Sequence, residues 1–286
     1  MTKYILPQIQ NYSKPHNYLE LDFPQFQIIG RGLAGVESVY SIPQWNVTFD
    51  IGRAPDFAIS NDTLALTHWH LDHAGGLPFL LGLRCLNNTK PLRIVVPDEK
   101  IEQAQLYLET LHKISESELL YEIQPASGSY ELKRNMFLQS IRSSHCQPST
   151  GYGVYETRYH LKSEYKNKAP DELRELKKRD VEIEEQLEVL LLAYSGDSRA
   201  DFFSTPAVNA QILIMECSFF GENDDKKNID RYGHTHIDDW VKFHDQIESP
   251  VVIMTHTSQR YSREEVLKIC QKKLSPDLLR KLIVFR

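Results

Sequence analysis

The sequence predicts an α/β fold of two packed sheets with helices outside. Three observations carry this expectation. Short apolar runs separated by turn signals recur along both halves of the chain, and such runs read as strands. Within each half the strands mostly come first and helical stretches follow, and sheets and helices of that kind must cover one another in layers. At 286 residues, 41% hydrophobic and 10% aromatic, the chain can bury a sizeable core and still form one large domain, taken as 1–286.

The elements are expected in the following order. "SVYSI" and "NVTFDIG" are strands joined by a proline-containing turn, and "TLALTH" is a buried strand. "GGLPFLLGLRCLNN" turns helical after its two glycines. "LRIVVP" is a strand, followed by an amphipathic helix over 98–113 with Ile101, Ala104, Leu108 and Leu111 on one face. "FLQSIRSSH" and "YGVYETRYHL" are strands, as are "EVLLLAYSGD" and "QILIMECSF". Helices are expected over 236–246 and Arg263–Lys273, with the strand "PVVIMTH" between them. From 161 to 186 the composition turns almost wholly charged or polar. With little apolar face to bury, this stretch is read as a projecting arm or surface insertion, 158–187.

Composition excludes several classes. The formal charge of −6 has the wrong sign for a protein that coats nucleic acid. No basic stretch followed by an apolar one opens the chain, and no apolar run approaches a membrane span. A cytoplasmic protein with no membrane partner is expected. Cys85, Cys146, Cys217 and Cys270 form no CxxC pair, so neither a disulfide framework nor a cysteine zinc knuckle is expected.

The stretch "LTHWHLDHAGGLP" carries chemistry. His68, His70, Asp72 and His73 form HxHxDH. On an extended segment residues two apart point the same way, so His68 and His70 can grip one ion. After the turn, Asp72 and His73 reach a second. Imidazole and carboxylate suit zinc, and manganese and iron are also admissible. Four residues cannot complete two sites. Three further apolar runs each end in one ligand-type residue, His145, Asp197 and His256. The assignment is His68, His70 and His145 on one ion, Asp72, His73 and His256 on the other, and Asp197 bridging ions about 3.5–4 Å apart. Two zinc ions per chain would produce a nucleophile near neutral pH and neutralise a phosphoryl or carbonyl oxygen.

These residues resemble those of the metallo-β-lactamase superfamily, and further stretches narrow the resemblance to the tRNase Z family in its short plant-type form. They are "FDIGRAP", "GYGVYET", "YSGDS", "LIMECSFF", "YGHTHI" and "HTSQRY". The resemblance implies a four-layer αβ/βα sandwich and an endoribonuclease that removes the 3′ trailer of precursor tRNA, leaving a 3′-hydroxyl. It implies that His234 is the proton donor or transition-state stabiliser, with Asp72 and Glu216 beside it among the catalytic candidates. His234 or His236 could instead cap the helix that follows. Glu216 and Asp50 are read as partners that orient ligands. Arg260, with Ser258 before it, could hold a substrate phosphate.

The resemblance also gives the arm a role, gripping tRNA in a homodimer. Arg158, Lys162, Lys166, Lys168, Arg174, Lys177, Lys178 and Arg179 face Glu164, Asp171, Glu172 and Glu175, an excess of +4 over that span. Lys166, Lys168, Lys177 and Lys178 are the candidate phosphate contacts. The competing reading is a hydrolase of the same fold acting on a lactone, thioester or cyclic phosphodiester.

Overall fold

A computed structural model describes residues 8–10, 18–87, 89–222, 224 and 226–286. Eight strands form the first sheet in chain order: β1 (Gln8–Gln10), β2 (Leu19–Asp22), β3 (Gln27–Leu33), β4 (Glu37–Ile42), β5 (Val47–Phe49), β6 (Thr63–Ala65), β7 (Leu92–Val96) and β8 (Tyr121–Pro125). Seven form the second: β9 (Ser129–Lys133), β10 (Met136–Ile141), β11 (Gly151–Leu161), β12 (Glu184–Tyr194), β13 (Ile212–Glu216), β14 (Val251–Thr255) and β15 (Leu282–Val284). Each sheet begins antiparallel and ends parallel. The change falls after β5 in the first and after β12 in the second.

Parallel neighbours need crossovers, and the crossovers bring the helices. α1 (Leu71–Ala74) and α2 (Leu77–Leu86) join β6 to β7, and α3 (Ile101–Ser115) joins β7 to β8. α4 (Pro170–Lys178) tips the arm. α5 (Lys226–Tyr232) and α6 (Ile237–Phe243) join β13 to β14, and α7 (Arg263–Lys273) and α8 (Pro276–Lys281) join β14 to β15. Three apolar clusters lie between the layers. Leu21, Tyr40, Phe49, Tyr152, Tyr194 and Ile253 pack between the sheets. Leu64, Leu80, Ile94 and Leu108 lie under the first set of helices, and Phe203, Met254, Trp240 and Cys270 under the second. This is the expected four-layer sandwich.

The structure moves several boundaries. β6, β10, β12 and β14 stop one to four residues before the polar residues that sequence placed at their ends. After β6 the reason is visible: Leu66 still donates to Val95 O at 2.9 Å, but the next amide, Thr67 N, donates to Asp50 Oδ1 at 2.8 Å. A side-chain carboxylate takes the ladder's place. β1, β2, β3, β8, β9 and β15 were not foreseen; they lie at or near the sheet edges.

The arm is a helix-tipped hairpin. β11 and β12 stay paired out to Leu161↔Glu184, and Lys162 N donates to Ile183 O at 2.9 Å beyond them. At the tip α4 has proline in its first turn, acidic residues Asp171 and Glu172 near its start and Lys177 and Lys178 near its end, a charge order that suits the helix dipole. Ile183, just beyond the last strand pair, is buried within the arm's outer end. Replacing 163–182 by a two-residue Asn-Gly turn should therefore shift the thermal unfolding midpoint by no more than a few degrees, as calorimetry would read; a large drop would make the arm part of the core.

Candidate metal centre

The seven ligand-type residues come from both halves of the chain and meet beyond the ends of the strands. Nε2 of His68 lies 3.0 Å from Nδ1 of His70, and Nε2 of His145 lies 3.3 Å from the same atom. Nε2 of His73 lies 3.4 Å from Nε2 of His256 and 3.7 Å from Asp72 Oδ2, and His256 Nε2 lies 3.4 Å from that oxygen. Two nitrogens on one tetrahedral zinc, with bonds of about 2.0–2.1 Å, stand about 3.3 Å apart. The ring nitrogens therefore have the spacing of ligands around a shared ion. His68, His70, His145 and Asp197 make one such group and Asp72, His73 and His256 another, while Asp197, His234 and His256 form a third cluster that overlaps both.

Asp197 lies between them. Its Oδ1 is 3.2 Å from Nε2 of both His73 and His256, and its Oδ2 is 3.6 Å from His68 Nε2 and 4.0 Å from His145 Nε2. One oxygen faces each group. Oδ1 is buried and makes no hydrogen bond. A buried carboxylate needs pairing or a metal, so the residues present fit a pair of cations. The field has the same sign: burial opposes a charge on His73, yet Asp197 and Asp50 hold it well above its ordinary pKa. Burial pushes His68, His70 and His145 below theirs, which keeps them neutral, the form that ligates metal. Burial also opposes charge on Asp72, but its hydrogen bond to His256 and the charges of His73 and His256 bring it down to about 2.

The ring orientations are set from behind. Asp50 is fully buried and takes four donors: Thr67 N and Oγ1, His73 Nδ1 at 2.7 Å and Tyr194 OH at 2.7 Å. Tyr194 belongs to the second sheet, so this carboxylate joins the two halves. The Thr67 hydroxyl donates to Asp50 Oδ2 and accepts from His68 Nδ1 at 3.0 Å. His145 Nδ1 donates to Gly233 O at 2.9 Å, and His256 Nδ1 to Ser218 Oγ at 3.0 Å. In these four rings Nδ1 faces the protein and Nε2 the centre; His70 presents Nδ1. Asp50 and His256 hold φ of 50° and 54°, left-handed values that Asp and His adopt more readily than most residues.

His234 stands at the edge of this centre. Its Nδ1 lies 3.1 Å from Glu216 Oε1 and 4.0 Å from Asp197 Oδ2. Burial disfavours its charged form, but Glu216 and Asp197 outweigh that and raise its pKa to about 9, so it carries a proton at neutral pH. Glu216 is buried and also accepts from Thr235 N and Ser218 Oγ. The neighbouring histidine does something else: His236 caps α6, accepting from Asp238 N at 3.1 Å.

The substrate candidates lie further out. Arg260 is exposed, 3.7 Å from Asp224, with its guanidinium 6.0 Å over the Phe219 ring. The Ser258 hydroxyl accepts from Arg260 N and serves the turn itself. On the arm, Lys168 pairs with Glu172, Lys177 with Glu184 and Lys178 with Glu175. Among the described residues Lys166 makes no such pair. The expected basic excess does not survive the return strand: Asp180, Glu182, Glu184 and Glu185 bring 158–187 to eight cations and eight anions, a net charge of zero. Counting the whole hairpin would have revealed this. Thr67, Tyr194, Ser218 and Gly233, which orient the ligands, were missed; nothing in their local pattern separates them from ordinary strand-end residues.

No family model matches the chain. The tRNase Z TRZ1 of Arabidopsis thaliana is 32% identical over 247 residues, 84% of this chain and 88% of the relative. The chain belongs to the tRNase Z family. The chloroplastic tRNase Z TRZ2 of the same plant is also 32% identical, over 91% of this chain and 76% of its own. Among solved structures, the short form of human tRNase Z matches 90% of this chain and 92% of its own with a TM-score of 0.50 at 17% identity. The metallo-β-lactamase fold protein YhfI of Bacillus subtilis matches 98% of this chain and 93% of its own, with a TM-score of 0.57 at 13% identity. The fold is that of the metallo-β-lactamases.

In this tRNase Z, Asp50 orients His73 without touching the ligand positions. Asp50→Asn should weaken divalent-metal affinity by about 10–100-fold, the usual scale for such supporting residues, in a competition titration against a chromogenic chelator. Unchanged affinity would show that the His73 ring is held by packing and not by this bond.

Proposed function

We propose that the chain is a zinc-dependent endoribonuclease that cuts precursor tRNA after the discriminator nucleotide, leaving a 3′-hydroxyl on the tRNA. The observation that carries this reading is the His234–Glu216 pair beside two ligand groups that share Asp197, in a chain of the tRNase Z family. His68, His70 and His145 would hold one ion and Asp72, His73 and His256 the other, with Asp197 placed between the two groups. The donor set suits zinc, with manganese and iron admissible. When bound, the two ions neutralise phosphoryl charge and supply a nucleophile at neutral pH. Glu216 keeps His234 protonated, and His234 gives that proton to the departing ribose 3′-oxygen. Asp72 and Glu216 thus serve the reaction through what they hold.

Arg260 and the arm lysines are the tRNA contacts in this reading. The arm's net charge of zero is the one observation that favours the alternative, a small-molecule hydrolase of the same fold. Exposed Phe79 and Leu86 on α2 and Leu106 and Ile114 on α3 support a homodimer, which analytical ultracentrifugation would test. Four free cysteines support a reducing compartment, and we place the protein in the cytoplasm. No described helix is long and apolar enough to cross a membrane.

Elemental analysis should find close to two ions per chain. Asp197→Ala should lose them and nearly all cleavage of precursor tRNA; a fully active, metal-free protein would sink the reading. His234→Ala should keep its metal and lose about 100-fold or more in kcat. His236→Ala should instead cost about 1 kcal/mol of stability as a lost helix cap, with kcat little changed. Reversed effects of these two substitutions would remove His234 from the mechanism. Changing Lys166, Lys168, Lys177 and Lys178 together to Glu should raise KM for precursor tRNA about tenfold or more and flatten its salt dependence, while turnover of bis(p-nitrophenyl) phosphate stays the same. Equal effects on both substrates would remove the arm from substrate binding.

A further inference from the structure

Phe219 and Phe220 follow β13 in sequence and take opposite roles. Phe220 is buried against Tyr261, with ring centroids 5.4 Å apart, and belongs to the core beneath the helices. Phe219 is turned the other way and stays half-buried. Its backbone is fixed: its amide donates to Thr235 O at 3.3 Å, its carbonyl accepts from Ile237 N at 2.9 Å, and it bridges to His236. These bonds fix the direction in which Phe219 leaves the backbone. Its centroid lies 6.0 Å from that of His234, at an interplanar angle of 62°. The Arg260 guanidinium lies over the ring at 6.0 Å, the outer limit of a cation–π contact, and its ion pair with Asp224 is a loose 3.7 Å. Arg260 is 70% exposed, so little holds it there.

We propose that Phe219 is the stacking platform for the nucleobase of the nucleotide whose 3′-oxygen leaves, and that Arg260 yields the ring face to that base and turns to a flanking phosphate. The proposal rests on the ribonuclease reading and on His234 as the proton donor. If His234 serves the 3′-oxygen, the ribose carrying that oxygen lies against it, and the base of the same nucleotide reaches the next ring outward, Phe219. Every base has a π face, so a phenyl ring binds an unpaired nucleotide without choosing among the four. The freed guanidinium has the planar fork that a phosphate accepts. Phe219 thus confers a demand for a base at this position and no preference for which.

The experiment is a cycle between enzyme and substrate. Precursor tRNA is prepared intact and with an abasic residue just 5′ of the scissile phosphate, and kcat/KM is measured for wild type, Phe219→Leu and Phe219→Tyr. Removing the base should cost wild type about tenfold, within the range that one base–aromatic stack contributes. Phe219→Leu should cost about the same with the intact substrate, and little more when the base is also missing. Phe219→Tyr should behave as wild type. Metal content and thermal unfolding of each variant should match wild type; were Phe219→Leu insoluble, Phe219→Met runs the same cycle under the same criterion. Losses that multiply, or a Phe219→Leu enzyme as fast as wild type on intact substrate, would overturn the platform. A wild type that cuts no precursor tRNA while hydrolysing bis(p-nitrophenyl) phosphate would overturn the ribonuclease reading first, and the platform with it.

Discussion

The Asp197 carboxylate is the constraint on which the rest of the centre depends. It is buried, one of its oxygens has no hydrogen bond, and it faces five imidazoles from four different segments. An uncompensated charge of that kind is too costly for a folded domain to keep. Burial opposes its ionised form, yet His256 and His73 hold its pKa well below the ordinary range. The charge is therefore retained, and everything around it is arranged to receive cations. The rings of His68, His73, His145 and His256 are tied back through Nδ1 so that Nε2 points inward. Asp50 ties two of them, one directly and one through Thr67.

The repeated plan of the two halves explains how so many residues reach one point. Each sheet changes from antiparallel to parallel once, after β5 and after β12. At those two places the chain leaves the sheet and turns, and the acids Asp50 and Asp197 follow within a few residues. Parallel strands release their C-terminal ends on one side, where ligands of open α/β sheets gather. The Asp50–Tyr194 hydrogen bond crosses from one half to the other at the same level. The candidate ligand His73 and the inter-sheet contact of Tyr194 thus share one carboxylate, Asp50.

Selectivity lies outside this construction. The proton on His234 is held there by the Glu216 carboxylate at the end of β13. The groups that could meet a nucleic acid, Arg260, Phe219 and the arm, sit on loops and on a hairpin whose charges largely pair with each other. That self-pairing is weak at an exposed surface, so the arm lysines remain exchangeable for phosphate.

The sequence by itself determined the fold class and the identity of the convergent residues. HxHxDH is dense and local, and His145, Asp197 and His256 share one signature, an apolar run that ends in a single polar residue. Both are properties of neighbouring residues, which a linear chain displays. Three matters needed the tertiary structure. His234 and His236 look alike in "YGHTHI"; only the proximity of Glu216, far away in sequence, holds a proton on one, and only the start of α6 makes the other a cap. The supporting residues Thr67, Tyr194, Ser218 and Gly233 carry no local mark: Tyr194 reaches across the sheets to Asp50, and Ser218 and Gly233 reach His256 and His145 from other loops of the second sheet. Which nitrogen each ring presents likewise follows from the bond its other nitrogen makes, and those partners are assembled by long-range packing that periodicity and spacing do not encode.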